Sequence, residues 1–171
     1  MTQKDLPRFI MRDCNLWADR ENKIGQIGDI TPPAPAVKLE EMRNAGMIKP
    51  RQVNMGYETL EFSFKMPGFD PQIIGLYGLK PGADNMFLIT GALVDESGDE
   101  HSAVMTVRGF LHKADPGTWK GGDVAEADYA VAVNYYKVEV DGRPIIEMDD
   151  FDIIVEGVSQ RRGIRNALLL D

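Results

Sequence analysis

The side chains with the widest catalytic repertoire in this sequence are two histidines and one cysteine. His101 and His112 are eleven positions apart, and this odd spacing places them on opposite faces of one unbroken strand, so they would not share a metal ion. Cys14 could pair with a histidine as a nucleophile, but a lone cysteine more often packs as a small buried hydrophobe. The patterns Cys-x-x-Cys, His-Glu-x-x-His, Gly-x-Ser-x-Gly and Gly-x-Gly do not occur.

Two acidic clusters are the remaining candidates for chemistry. The first, D-E-S-G-D-E at 95–100, departs from the alternating ligand pattern of a calcium loop and is more typical of a solvated hairpin tip. The second, D-D-F-D at 149–152, could form ion pairs with Arg161 and Arg162 in the same chain or in another. Exposed pairs of that kind contribute only about 0–1 kcal/mol each. The sequence therefore predicts no catalytic, metal or cofactor site and does not support an enzyme.

Length and composition are those of an ordinary globular domain. With 171 residues, 43% hydrophobic and 27% charged, we expect one domain over residues 1–171. The net charge of −8 argues against sequence-specific nucleic-acid binding, because that affinity comes largely from Lys and Arg releasing counterions. No apolar run approaches the roughly 18 residues of a membrane span. The first residues, M-T-Q-K-D-L-P-R, lack the apolar core of a signal peptide, so we expect synthesis in a cytoplasm.

The segment 127–149 carries the clearest structural signal. Its first arm is rich in Tyr and Val, which favour a pleated, half-buried strand. Asp141-Gly142 tolerates the positive φ values of a two-residue turn, so this segment is predicted to form a β-hairpin. Pro144 cannot donate a ladder hydrogen bond, which predicts an open edge near the start of the return strand.

An open edge at this place would invite pairing with another chain. The apolar side chains that it would carry are Ile145, Ile146 and Met148. A hairpin inside a closed single-chain sandwich fits the same segment equally well.

Alternation of apolar and polar residues predicts strands along most of the remaining chain. They cover residues 9–17, 23–30, 37–42, 60–66, 86–95 and 101–113, with a short apolar run at 151–155. One helix is predicted at about residues 70–79, because Asp70 suits an N-cap and Pro71 the first helical position. Phe69 and Ile74 would form its hydrophobic staple. This pattern predicts a mainly β fold, an antiparallel sandwich or barrel with one flanking α-helix and long loops.

The segment 43–57, R-N-A-G-M-I-K-P-R-Q-V-N-M-G-Y, shows no periodicity and is predicted to be a long loop. It is too apolar for a solvated linker, and methionine-rich surfaces often make adaptable contacts. Docking on a neighbouring molecule is favoured slightly over folding back on its own domain. The apolar side chains that would make this contact are Met47, Ile48, Val53 and Met55.

The tail 160–170 is basic and then apolar, and it adds a third candidate contact for self-association through Arg161, Arg162 and Arg165.

The order of these segments resembles the major tail tube protein of contractile-tailed bacteriophages, a family that also forms the inner tube of contractile R-type bacteriocins. The resemblance runs nearly from end to end. The residues that carry it are Leu6-Pro7-Arg8, Lys38-Leu39-Glu40 after the proline-rich connector, Asn44-Ala45-Gly46-Met47, the 60–65 strand, Gly68-Phe69, Val107-Arg108-Gly109, Tyr135-Tyr136-Lys137-Val138, Asp141-Gly142, Ile146-Glu147-Met148-Asp149, Arg161-Arg162 and Arg165-Asn166.

The resemblance implies a structural virion protein with no catalytic residues and no cofactor. Such subunits form hexameric rings that stack into a hollow tube, and their sheets continue across subunits as a barrel around the channel, with a helix on the outer side. The implied partners are other copies of the chain and the tail sheath, tape-measure, baseplate and tail-terminator proteins. DNA would be only non-specific cargo in the lumen, without stable membrane association, and an acidic lumen would let it slide.

Two other functions remain open at this point. One is the ring or tube protein of a bacterial contractile secretion or bacteriocin apparatus. The other, from a different class, is a small soluble β-sandwich enzyme or binding protein, which would need polar side chains converging in one pocket.

Overall fold

Twelve strands and two short helices make up the described part of the chain in the computed structural model. The structure describes residues 9–78, 82 and 84–170. In chain order the elements are β1 (Ile10–Ala18), β2 (Glu21–Asn22), β3 (Ile30–Thr31), β4 (Val37–Met42), β5 (Arg51–Tyr57), β6 (Leu60–Pro67), α1 (Pro71–Gly75), β7 (Asn85–Val94), β8 (Glu100–Asp115), β9 (Glu126–Val140), β10 (Arg143–Met148), β11 (Ile153–Val155), β12 (Val158–Ser159) and α2 (Arg162–Ala167).

The main sheet is antiparallel throughout, in the order β12-β11-β10-β9-β8-β7-β1-β2. The 15-residue strand β9 pairs with β8 along one edge. The other edge of β9 is divided, because its first half pairs with β6 and its second half with β10. The predicted mainly β, antiparallel fold is confirmed, with β4 and β5 forming a separate two-stranded sheet.

A bend in β8 and β9 lies where the edge of β9 is divided. The register of the two strands shifts between Arg108 and Gly109, opposite the segment 133–135. A Cβ atom on Gly109 would lie 1.9 Å from the backbone oxygen of Ala132. Only glycine allows the two backbones to approach this closely, as is typical of a β-bulge.

The core is an aromatic cluster between β6, β7 and β9. The apolar positions of β6 alternate as predicted, and Phe62 and Phe64 are fully buried. Their ring centroids are 5.3 Å apart, and that of Phe64 is 5.1 Å from the ring of Tyr129 on β9. Phe87 of β7 packs against Phe62 at 5.7 Å from the opposite side. Since β6 faces β7 across these rings, the sheet is curled around its own core.

The predicted hairpin is confirmed as β9 and β10. The first residues of β10 leave an edge without a partner in β11, as predicted near the start of the strand, but the part that carries Ile146 and Met148 is paired. Asp141 and Gly142 have φ values of 51° and 76°, as a tight two-residue turn requires. Residues 146–148 pair with β11, which covers the part of the edge that was expected to expose Ile146 and Met148. Only the first residues of β10 have no partner in β11, and the register shifts just after Pro144.

The prediction of a loop over 43–57 is also wrong. Residues 51–57 form β5, which pairs with β4 in a hairpin, and only 43–50 connect the two strands. The alternation that marks a strand is missing because both faces of β5 are largely exposed, so burial imposes no difference between them.

The predicted strand over 23–30 is replaced by turns around a buried lysine. Lys23 is 3% exposed, and its ammonium lies 3.0 Å from the carboxylate of Asp70 and 3.5 Å from that of Glu21. Gln72 accepts a further hydrogen bond from the same nitrogen. This buried charge needs these partners, and they join the β2 turn to the start of α1.

The helix predicted at about 70–79 is shorter than expected, and residue 79 lies outside the described residues. Asp70 does cap it, since its Oδ1 accepts a hydrogen bond from Gln72 N at 2.9 Å. Phe69 is half-exposed, and its ring meets that of Trp119 in an edge-to-face contact with centroids 5.8 Å apart. A second helix, α2, lies in the segment that was predicted only as a basic tail.

Candidate assembly surfaces

The hairpin of residues 37–57, formed by β4 and β5, displays apolar side chains to solvent. Its exposed apolar residues are Val37, Leu39, Met42, Ile48, Met55 and Tyr57. Of the other predicted contact residues in it, Met47 and Val53 are half-buried. No residue of this hairpin belongs to the described core cluster. A two-stranded hairpin alone is marginally stable in water. Packing against another surface would therefore stabilise this hairpin.

The tip of the hairpin, residues 43–51, combines a hydrophobic side chain with positive charge. Gly46 has a φ of +87°, and Met47 N donates to Asn44 O at 3.1 Å, so the chain reverses tightly here. Ile48 follows this turn and is 97% exposed. The segment R-N-A-G-M-I-K-P-R holds three cations and no carboxylate in a chain of net charge −8.

A groove of about 740 Å³ lies where β6 and β10 diverge from β9. Its walls come from the end of β5, the β10–β11 loop and the start of α2. The apolar residues that line it are Tyr57, Leu60, Ala132, Val133, Met148, Phe151, Ile153 and Ile164. Sequence reasoning did not find this groove, because its walls are far apart in the chain.

The rim of the groove is acidic, with four carboxylates and one arginine among its lining residues. Asp149 Oδ1 accepts hydrogen bonds from the amides of Phe151 at 2.7 Å and Asp152 at 2.8 Å, which shapes the β10–β11 loop. The hydroxyl of Ser159 donates to Asp152 and lowers the pKa of that carboxyl. These bonds hold two of the rim carboxylates, Asp149 and Asp152, in place.

The predicted arginines lie on or beside α2, but they pair differently from expectation. Arg161 Nη1 donates to the carbonyl of Phe151 at 3.0 Å. Arg165 forms the ion pair with a carboxylate of the same loop, with Nη1 3.9 Å from Asp152. Arg162 is exposed.

An open sheet edge exists on β1, where sequence reasoning did not place one. Along its whole length β1 pairs with β7, but among the described residues its other side is paired only at Trp17 and Ala18, with β2. Ile10 and Met11 on the unpaired part are 52% and 53% exposed. Of the predicted edge residues, Ile146 pairs with β11 and is half-buried, like its neighbour Ile145.

Both histidines are held by carboxylates, in separate places. His101 lies between two of them, with Nδ1 2.6 Å from Asp141 and Nε2 3.2 Å from Asp95, while the His112 ring nitrogen is 3.4 Å from Glu61. The hydrogen bonds from Asp141 and Asp95 raise the pKa of His101. Neither arrangement builds a cysteine–histidine nucleophile.

The sheet face away from the core carries a network of paired polar groups on β8, β9 and β10. Tyr135 donates its hydroxyl to Glu147 at 2.7 Å, and burial together with this carboxylate raises the pKa of Tyr135 to about 12. The guanidinium of Arg108 lies 4.8 Å from the centre of the same ring. Lys137 and Glu139 form an ion pair at 3.1 Å.

Solved structures with a similar fold come from contractile injection systems. A chain of the sheath/tube terminator of an extracellular contractile injection system, PVC, aligns with a TM-score of 0.54 and 11% identity, covering 82% of this chain and 99% of that one. A chain of the PVC sheath-tube complex aligns at 0.52 and 10%, covering 74% and 86%. A chain of the anti-feeding prophage baseplate aligns at 0.52 and 10%, covering 82% and 96%. The fold is therefore one used in contractile injection machines.

The sequence matches a more specific group. Residues 7–168 match the family described as phage tail tube protein FII, and the chain belongs to that family. The tail tube protein of Escherichia phage P2 is 27% identical over 152 residues, covering 85% of this chain and 88% of that protein. The major tail tube protein of Serratia phage KSP20 is 30% identical over 146 residues, covering 84% of each.

The resemblance stated from the sequence is thus confirmed, and the chain is a structural tube component of contractile tails and related injection systems. Its relatives are virion components. In the described part of the chain, no helix is long and apolar enough to cross a membrane.

Proposed function

We propose that this chain forms hexameric rings that stack into a hollow tube, and that the tube is the conduit for genome delivery. The observation that carries the proposal is the 37–57 hairpin, which exposes apolar side chains on a two-stranded sheet that needs a covering surface. The open edge of β1 supports it, because pairing that edge with the next copy would continue the sheet around a ring.

The face of the sheet opposite α1 would line the channel, since Ile73 of α1 is buried on the core side. This channel-facing surface carries Arg108 and Lys137 as well as Glu139 and Glu147. In this described part of the sheet each of the two carboxylates has a partner. The acidic lumen expected from the net charge stays a prediction. Because both carboxylates are paired, we expect the channel surface to be less negative than the net charge alone would indicate.

The protein would act as a structural subunit and not as an enzyme, because the groove walls are mostly apolar and both histidines are held elsewhere. Its partners would be the tail sheath, tape-measure, baseplate and tail-terminator proteins, with DNA passing as cargo. Solved sheath-tube, terminator and baseplate assemblies contain chains of similar fold, which supports the sheath, tail-terminator and baseplate proteins as partners. Synthesis would take place in the cytoplasm of the bacterial host.

Electron microscopy of the concentrated purified protein tests this function. We expect hollow filaments of uniform diameter with sixfold end views, formed spontaneously or after addition of a tail initiator complex. Sedimentation in the same buffer gives the fraction assembled. A protein that stays monomeric at millimolar concentration with the initiator present would contradict the proposal.

The fold also supports a second candidate function, the tube of a bacterial contractile secretion or bacteriocin apparatus. The similar solved structures belong to injection systems described as an extracellular contractile injection system and an anti-feeding prophage. A tube of such an apparatus would have the same walls but different cargo. Purified particles containing tubes without packaged DNA would favour it over an infectious phage tail.

A further inference from the structure

The basic tip of the hairpin and the acidic groove are complementary in polarity and charge. We propose that the tip, residues 43–51, docks in the groove of a second copy of the chain. This inference rests on the tube function proposed above and names the contact that would join neighbouring subunits. The occupant is a second copy because the tip cannot reach its own groove.

The geometry of the hairpin excludes docking within one copy. Tyr57 and Glu58, at the base of the hairpin, form part of the groove wall. β5 runs from Arg51 in the tip to Tyr57 at this base, and Asn54 in its middle also lines the groove. An extended strand advances about 3.3 Å per residue, so Arg51 lies roughly 10 Å from Asn54, the groove residue nearest to it in β5, and roughly 20 Å from Tyr57. A paired strand cannot fold back over that distance without losing its hydrogen bonds to β4.

Apolar surface is matched on the two sides. The tip presents Ile48, which is 97% exposed. The groove has a floor of buried apolar side chains, including Leu60, Met148 and Ile153, and Phe151 at its mouth is 76% exposed. Insertion of Ile48 would remove both surfaces from water, which is the arrangement of an anchor residue in a pocket.

Charge is matched as well. The tip carries Arg43, Lys49 and Arg51, and within the described part of the chain none of them has an ion-pair partner. The groove rim carries four carboxylates and one arginine. Of those carboxylates, Glu58 and Asp150 are exposed and likewise lack a described cationic partner. Opposite charges around an apolar anchor fix the register of a contact and exclude other orientations.

Tip and groove lie on different surfaces of the same molecule, so the contact is heterologous. Each copy would offer its tip to one neighbour and its groove to another. A contact of this type repeats without limit unless it closes into a ring. It therefore fits the growth of a tube along its axis.

Cysteine cross-linking tests the contact directly. One variant carries Ile48→Cys and a second carries Phe151→Cys, both with Cys14→Ser so that only the new thiols react. The two proteins are mixed, assembled and oxidised with copper phenanthroline, and the covalent dimer is measured on a non-reducing gel. We expect a dimer in assembled tubes and none in the monomeric fraction. Val124→Cys is the matched control for Phe151→Cys, since both side chains are 76% exposed.

Charge exchange gives an independent test. Arg43→Glu, Lys49→Glu and Arg51→Glu together should raise the critical concentration for assembly by roughly tenfold or more. Glu58→Lys with Asp150→Lys should do the same, while both sets combined in one chain should restore assembly. All five side chains are exposed, so we expect unchanged thermal midpoints for the monomers.

The outcomes separate this inference from the tube function. Tubes without the 48–151 dimer, or without restoration by the combined charge exchange, would show that the inference is wrong while the tube function stands. A wild-type protein that never assembles would overturn both. Dimer yields with Val124→Cys equal to those with Phe151→Cys would show random collision and would also reject the contact.

Discussion

Gly109 is a single residue on which the bend of the sheet depends. Its Cβ position lies 1.9 Å from the backbone oxygen of Ala132, so Gly109→Ala must push two paired strands apart. We expect a loss of about 2–3 kcal/mol in the free energy of unfolding, because backbone cannot repack around the methyl group as side chains do. In thermal denaturation of the monomer this is a drop of roughly 5–10 °C in Tm.

Gly121→Ala is the matched control for this substitution, since nothing lies within 4 Å of its Cβ position. It should change Tm by less than about 2 °C. An equally small change in Gly109→Ala would show that the strands separate at no cost and that the bulge is not fixed by glycine.

His101 makes the stability of the hairpin tips depend on pH. Both ring nitrogens face carboxylates, so only the imidazolium satisfies both contacts. Because the pKa of His101 is raised by Asp141 and Asp95, its stabilising contribution is complete below the ordinary value of 6.5 and is lost as pH rises through the raised pKa. The lowered pKa values of these aspartates keep them charged through this range.

We therefore expect the wild-type Tm to fall relative to that of His101→Gln as pH increases from about 6 to about 9. The measurement is differential scanning calorimetry of both monomers across this range. Parallel curves for the two proteins would mean that the imidazolium contributes nothing to the folded state.

Among the elements, the 37–57 hairpin can be removed without touching the core. Glu58 N donates to Ala36 O at 2.8 Å, so its two ends already lie together and can be joined by Gly-Gly. Deleting only 44–56 would leave β4 without its partner strand. We expect the variant lacking 37–57 to keep its Tm within a few degrees, because the hairpin adds nothing to the described core, and to form no tubes.

Electron microscopy and calorimetry of this deletion variant separate the two effects. Tubes that persist would remove the hairpin from the assembly contacts. A monomer that unfolds at a much lower temperature would show that the hairpin supports its own domain and not a neighbour.

The elements that could be predicted from the sequence are those in which burial differs between the two faces. Residues 60–67 alternate because one face meets the aromatic core, and the turn at Asp141-Gly142 has a local signal of its own. β5 has no such contrast, and α2 contains Gly163, which disfavours a helix. The groove could not be predicted, because it forms only when segments distant in sequence come together.

At the scale of the whole molecule, charge limits how closely copies approach. Arg161→Glu with Arg162→Glu changes the formal net charge of −8 by four negative units, beside a groove rim that is already acidic. We expect weaker assembly, measured as a higher critical concentration by sedimentation. Arg20→Glu with Lys120→Glu makes the same change of net charge on exposed residues away from the groove.

If the control pair weakens assembly as much as the first pair, net repulsion and not position explains the effect. Arg161 also donates to Phe151 in the β10–β11 loop, so calorimetry of the double variant must show that this loop and α2 remain folded.

The divided edge of β9 has a mechanical consequence. A one-residue slip of this strand would turn its side chains to the wrong face against β6 and against β10 at once. The pairings of β9 with β6 and with β10 therefore both resist sliding along the strand direction, and we expect the subunit to be stiff under shear. A tube wall built from such subunits would transmit a sudden axial force from one end to the other with little internal deformation.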